Sequence, residues 1–218
     1  MQLSHSFSSL KLYENCPLRY QQQRILKAVV DKGGEASQHG ERVHKYLEER
    51  LTGVSPLPDE LEPLEGAIAA LDRLSAKGVL MVEQELTLNA ELKPTGWWDS
   101  DAWLRSKLDV LVVRGDKAYN LDWKTGKRRP DYSQLELFAL QVFAHYPEVQ
   151  RVTSAFIWIR DVATDKETYT RDDAPKLWEN LLAKVRRIEQ SVATDNWPAR
   201  PSGLCNYCPC KPTCQYAR

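Results

Sequence analysis

The sequence predicts an α/β protein: a mixed central sheet flanked by helices. Three observations lead there. Apolar stripes at helical spacing fill the first third of the chain, short strand-like apolar runs follow, and a further helical stretch lies between two of those runs. At 218 residues the chain is within the range of one domain and ample for a core. No domain boundary stands out. The expected division is a core over about 36–192, with a small lobe formed by 1–35 and 193–218.

Taken in order, Ser8 is a candidate cap for a short helix reaching Cys16-Pro17, and Pro17 starts the next turn. Leu18 to Val30 reads as helix, broken at Gly33-Gly34. Ser37 to Leu51 is a second helix, with Val43, Leu47 and Leu51 along one stripe. Gly53 to Pro58 is a turn. Leu64, Ile68, Leu71 and Leu74 mark another helix, for which Gly78 is the expected C-cap. Val79 to Leu88 alternates as a strand with Val82, Leu86 and Leu88 inward, and Asn89 to Ser100 is a loop holding Trp97-Trp98. Leu108–Val113 and Tyr119–Lys124 pair as a hairpin across Arg114-Gly115-Asp116-Lys117. Tyr132 to Tyr146 is helix, Thr153 to Ile159 a buried strand, Lys166 to Thr170 an edge strand and Asp173 to Val192 a long amphipathic helix.

Thirty basic residues balance thirty acidic ones, so no global field draws nucleic acid and any such contact needs a local groove. No apolar run is long enough to cross a membrane, and the Ser-rich start lacks the apolar stretch of a signal peptide. A cytosolic setting follows as the expectation, in which five cysteines are metal ligands or free thiols and not disulfides.

Chemistry concentrates in two places. Asp122 and Lys124 alternate along a strand and share one side of the sheet, with Asp109 available from the neighbouring strand. An Asp-x-Lys pair is usually an exposed ion pair of little energetic weight. An acid inside an apolar run is different, because burying it is costly unless it is paired or bound to a cation. Two carboxylates and water suit magnesium or manganese. Glu83 and Glu85 alternate in a strand and are expected to face water. The second place is the C-terminus, where Cys205, Cys208, Cys210 and Cys214 fall within ten residues. Four thiols so close favour metal, and a local tetrahedral zinc site is sterically possible. Their spacing matches neither common ferredoxin run.

Asp109, then Asp122-Trp123-Lys124-Thr125-Gly126, then Gln134 resembles the PD-(D/E)XK nuclease superfamily, in particular its RecB-like branch. The resemblance implies a restriction-endonuclease-like fold and metal-dependent cleavage of DNA. It assigns Asp109, Asp122 and the Trp123 carbonyl as metal ligands, Lys124 to the attacking water and scissile phosphate, and Gln134 to the edge of the site near the DNA. Gly40 and His44 match the branch's Gly-x-x-x-His helix, whose His reaches the metal. A nitrogen ligand there would favour manganese over magnesium. Two positions depart from the pattern: Lys107 stands where the family has Gly, and Phe138 where it often has Tyr.

Both ends extend the likeness. Cys16-Pro17-Leu18-Arg19-Tyr20 and the run Cys205, Cys208, Cys214 resemble iron–sulfur nucleases of the RecB, AddB and CRISPR-associated RecB-like type. That resemblance implies a [4Fe–4S] cluster held by Cys16, Cys205, Cys208 and Cys214, with Cys210 spare and zinc as the alternative metal. The expected function is a DNA exonuclease of repair, recombination or replication, working beside a helicase or recombination partner. The rival reading is a non-catalytic DNA-binding subunit.

Overall fold

The structure, a computed structural model, describes residues 3–217. In chain order its elements are α1 (Phe7–Asn15), α2 (Pro17–Tyr20), α3 (Glu35–Leu51), α4 (Glu65–Ser75), β1 (Val79–Leu88), β2 (Leu104–Arg114), β3 (Lys117–Lys124), α5 (Tyr132–His145), β4 (Arg151–Trp158), β5 (Ala163–Thr170) and α6 (Ala174–Thr194). They group into two compact units. The first holds Gly34–Trp178 with the first few residues, and the second holds His5–Gly33 with the chain from Glu179 onward. The units divide at 178/179, inside α6, whereas the sequence reading put the edge of the core at 192.

The first unit is a five-stranded mixed sheet in the order β1-β2-β3-β4-β5. All neighbours are antiparallel except β3 and β4, which run parallel. A parallel pair needs a crossover, and α5 supplies it. One face of the sheet buries Leu108, Leu111, Ala118 and Phe156 with Leu135, Phe138, Ala139 and Val142 of α5. The other buries Val110, Val112 and Trp123 with Val43 and Leu47 of α3 and Ile68 and Leu71 of α4.

Simple alternation fails at one point, and the failure positions the site. Leu108 and Leu111 are three apart yet share the α5 side, while Val110 and Val112 take the other. Side chains of a regular strand alternate, so β2 must slip a step at Asp109. Across the ladder Val82 pairs with Val110 and Gln84 with Leu108, and Glu83 between them has φ +54°. Left-handed backbone is costly for a non-glycine residue and persists where the surroundings enforce it. The two irregular positions face one another, so two carboxylates leave the apolar ladder without displacing a core aliphatic.

Several local expectations are corrected. Ser6, not Ser8, caps α1, through a reciprocal capping box with Ser9. The helix expected over Leu18 to Val30 is a short α2 followed by a π-helical turn, Gln21–Ile25. It stops because no apolar face continues: Leu26 is 57 % and Val30 74 % exposed. Gly78 is not a C-cap. Ala76 caps α4, and a Cβ on Gly78 would lie 2.6 Å from the Val113 carbonyl oxygen, so glycine allows β1 to start against β2.

The second unit is organised by aromatics. Tyr13, Tyr20 and Trp197 pack with ring centroids 5.6–6.4 Å apart. The Tyr13 hydroxyl lies 2.7 Å from Ser191 Oγ and donates to the Arg187 carbonyl, and Lys184 pairs with Glu14 at 3.0 Å. Residues far apart in sequence are thereby held together. Cys16, Cys205, Cys208, Cys210 and Cys214 all line one cavity of about 370 Å³, and all five are free thiols. Cys210 is the most buried, and burial together with the neighbouring Cys208 thiol pushes it up to about 11. Among the described residues no helix is long and apolar enough to cross a membrane.

Candidate active site

The β2–β3 ladder ends at the Val110–Leu121 pair, while β3 stays paired to β4 as far as Lys124. At this fork the backbone groups of Trp123 lose their strand partner and side chains replace it. Trp123 N–H donates to Asp109 Oδ2 at 2.8 Å. The Trp123 carbonyl accepts from His44 Nε2 of α3 at 3.1 Å. His44 Nδ1 then faces Asp109 Oδ1 at 3.4 Å. With one ring nitrogen donating to a carbonyl and the other beside a carboxylate, the ring is arranged as an imidazolium. Burial works against that charge, but the hydrogen bond and charge of Asp109, then Asp122 and Glu83, outweigh it and hold His44 above its ordinary value.

Asp122 and Lys124 do share a side. Lys124 Nζ lies 2.5 Å from Asp122 Oδ2, and Gln134 from the first turn of α5 bridges the pair. Gln134 Nε2 donates to Asp122 Oδ1 at 2.9 Å, and its Oε1 accepts from Lys124 Nζ at 3.0 Å. Lys124 Nζ also sits 5.2 Å above the Phe156 ring. Asp122 is buried. Its Oδ2 has the ion pair with Lys124 but no partner at hydrogen-bonding angles. Burial, then repulsion from Asp109, raises the Asp122 carboxyl to about 6 against the opposing pull of Lys124 and His44. Both Asp122 oxygens are thus engaged, Oδ1 by Gln134 and Oδ2 by Lys124, and a buried carboxylate that also feels a second acid has the chemistry of a hard cation site.

His44, Glu83 and Asp109 each bring a ligating atom within 4.8 Å of the others. Glu83 corrects the sequence reading, which had it facing water. Its turned backbone directs the carboxylate inward, where it also pairs with Lys107 at 2.6 Å. That contact accounts for a lysine where the family pattern has glycine. Nothing in the alternating pattern around Glu83 signals a left-handed residue, so pattern reading had no purchase on it. Gly40 lies beside Thr125: a Cβ there would come 3.2 Å from Thr125 Oγ1. Phe138 is a core residue, 3 % exposed. In the basic run Lys127-Arg128-Arg129, the Arg128 guanidinium is paired with Asp165, and its backbone N–H donates to Asp161 Oδ2 at 3.2 Å.

This fork on a mixed sheet defines a class. The profile of the PD-(D/E)XK nuclease superfamily matches residues 4–215, and the chain belongs to that superfamily. Among solved structures, SSO0001 superposes with a TM-score of 0.54 at 13% identity, over 100% of this chain and 89% of that one. A provisionally assigned exonuclease from Eubacterium rectale superposes with a TM-score of 0.53 at 14% identity, over 94% of this chain and 86% of the other. At such identities the likeness speaks for the fold. No curated protein matches the sequence significantly. Nucleases of this superfamily use divalent metals, and the acidic fork offers a site for one.

Proposed function

We propose that the chain is a divalent-metal-dependent DNA nuclease, acting as an exonuclease on single-stranded or duplex ends. The observation that supports this most is the convergence at one strand fork of Asp109, Asp122, His44 and the Trp123 carbonyl, with Lys124 held beside them by Gln134. His44, Asp109, Asp122 and the carbonyl would hold Mg2+ or Mn2+, and Glu83 adds a further donor. Such an ion supplies a more acidic bound water and a clamp on the phosphate oxygens. Lys124, fixed between Asp122 and Gln134, handles the attacking water and steadies the charge that builds on the phosphate. Gln134 orients Asp122 and Lys124 together. His44 must release its proton to become a ligand, so protons and metal compete for the site.

The reading also includes a [4Fe–4S] cluster held by Cys16, Cys205, Cys208 and Cys214. Five free thiols, one near the N-terminus and four near the other end, line one cavity, which supports it. Such a cluster would tie together segments far apart in sequence and stabilise the fold by closing a long loop. The chain carries no helicase motif, so any unwinding falls to a helicase or recombination partner. The deciding experiment is digestion of single-stranded and duplex DNA with Mg2+, with Mn2+ and with chelator. Cleavage only with metal is the expected result. Tight DNA binding without cleavage under any metal would instead favour a non-catalytic subunit.

A further inference from the structure

We propose that Trp98, with Trp97 and Arg105 beneath it, is a stacking platform for the bases of single-stranded DNA. It would lie on the strand face that leads away from the metal fork. This rests on the nuclease reading and deepens it by naming where the unpaired strand is held.

Trp98 is 85 % exposed. Indole rings are among the most favourable to remove from water, so a fully presented one beside a second tryptophan is a candidate contact surface. It is not on a fraying loop. Within Asn89–Trp103, Gly96 N–H donates to Asp99 Oδ2 at 2.7 Å and the Thr95 hydroxyl bonds both Asp99 and Asp101. The Asn89 side chain accepts from the N–H groups of Glu91 and Lys93, and Thr95 and Trp103 are tied by backbone hydrogen bonds to the end of β1. The loop therefore holds its aromatics in a fixed place, which lowers the ordering cost of binding.

Arg105 supplies the second observation. Its guanidinium lies 5.5 Å from the Trp97 ring and 5.8 Å from the Trp98 ring, and its buried Nε has no hydrogen-bond partner. The cation is thus spent on two aromatic faces. Stacked arginine and tryptophan are the elements by which proteins hold unpaired bases of any sequence. Arg105 and Lys107 alternate along β2, so they fall on one face of that strand, with Thr87 and Glu85 opposite them on β1, and the strand slips its step at Asp109 just beyond them. Four residues of strand span about 13 Å, the length of roughly four stacked nucleotides and fewer stretched ones. Lys107 lies between, but its ammonium is paired with Glu83 at 2.6 Å, so Arg105 carries the charge of the platform. Along its length a duplex offers no free base faces to such a platform, so the occupant is the single strand.

The test uses the full-length protein in chelator, so that nothing is cut, and measures binding to a labelled oligothymidylate and to a blunt duplex of equal length. Trp98→Ala is expected to weaken oligothymidylate binding by about ten-fold or more, the scale of one lost base stack. Trp98→Phe should recover most of it, and duplex binding should stay as in the parent. Abasic residues walked along the oligonucleotide should weaken wild-type binding at one or two positions and have no further effect on Trp98→Ala. Unchanged oligothymidylate affinity in Trp98→Ala, an equal loss on duplex, or abasic effects that persist without Trp98 would each overturn the platform. Wild-type protein that binds no DNA and cuts none with Mn2+ would fail the nuclease reading itself, a different outcome from the others.

Discussion

The strand fork and the cysteine cavity are both candidate metal sites, but they are built in different ways. At the fork nearly every ligating atom is already held by a second interaction. Asp109 is fixed by the Trp123 N–H, Asp122 by Gln134, and His44 by the Trp123 carbonyl. The cavity has little of this: Cys205 Sγ accepts from the Ser202 N–H at 3.4 Å, and the thiols otherwise line a largely apolar space. A prearranged polar site keeps its shape without metal and pays in charge repulsion and a bound proton. A ring of thiols relies on its metal for its shape. The fork should therefore behave as an exchangeable site and the cavity as a structural one.

The largest effect expected from that contrast lies at the cavity. In protein prepared without oxygen, Cys16→Ser should lose iron and sulfide and destabilise the chain by several kcal/mol, the scale of removing a crosslink across a long loop. That corresponds to a fall in Tm of roughly 10 °C. Cys210→Ser should keep iron, sulfide and Tm. The reverse pattern would replace the proposed ligands by a local site made of Cys205, Cys208, Cys210 and Cys214. Metal chelation at neutral pH should separate the sites as well, stripping the fork quickly and the cavity slowly.

The next effect is one of pH at the fork. Asp122 and His44 both have raised pKa values in the folded chain. A raised value means that the native state holds protons the unfolded chain has released, so the stabilisation is present at low pH and lost as pH rises. Metal-free protein should therefore lose Tm as pH climbs through about 6, where Asp122 ionises, and further as His44 gives up its proton. Mn2+ should raise Tm more at pH 8 than at pH 5, and Asp122→Asn should flatten the metal-free profile. A metal-free Tm that rises across this interval would contradict the proton-held arrangement of the fork.

Smaller effects sharpen the picture. His44→Ala should weaken Mn2+ binding by about ten-fold or more, at least the loss typical of a metal site's supporting contacts, yet by less than Asp122→Asn. Calorimetric titration reads this directly, and unchanged affinity would reduce His44 to a helix residue. Gly40→Ala should change stability by less than about 1 kcal/mol, because better helix propensity offsets the tight approach to Thr125. Its effect on cleavage should exceed its effect on Tm, since Thr125 directly follows Lys124.

Much of this was legible in the sequence because it follows from periodicity and composition. The central hairpin, the α5 helix and the shared side of Asp122 and Lys124 need only alternation, turn chemistry and helical spacing. The recognisable residues of the superfamily pattern fall where the fold brings them together. Glu83 was not legible, because its inward turn depends on a left-handed backbone opposite a slipped Asp109, a feature of two strands read together. Gly78 and Gly40 were visible as glycines, but the atoms they make room for, the Val113 carbonyl and the Thr125 hydroxyl, lie on other elements. The helix expected over Leu18 to Val30 stops short for the opposite reason: Leu26 and Val30 fit a local pattern that no neighbouring element covers.

The central claim is that metal and lysine at the fork carry out different parts of one reaction, and a paired measurement on three proteins tests it. Mn2+ binding and Mn2+-dependent DNA cleavage would be followed in wild type, Asp122→Asn and Lys124→Ala, each checked for an intact fold. Asp122→Asn is expected to lose both metal and cleavage. Lys124→Ala is expected to keep the metal and lose cleavage by at least the ~100-fold that general acid–base groups contribute. Wild-type rates in both variants would contradict the assignment of the fork as the active site.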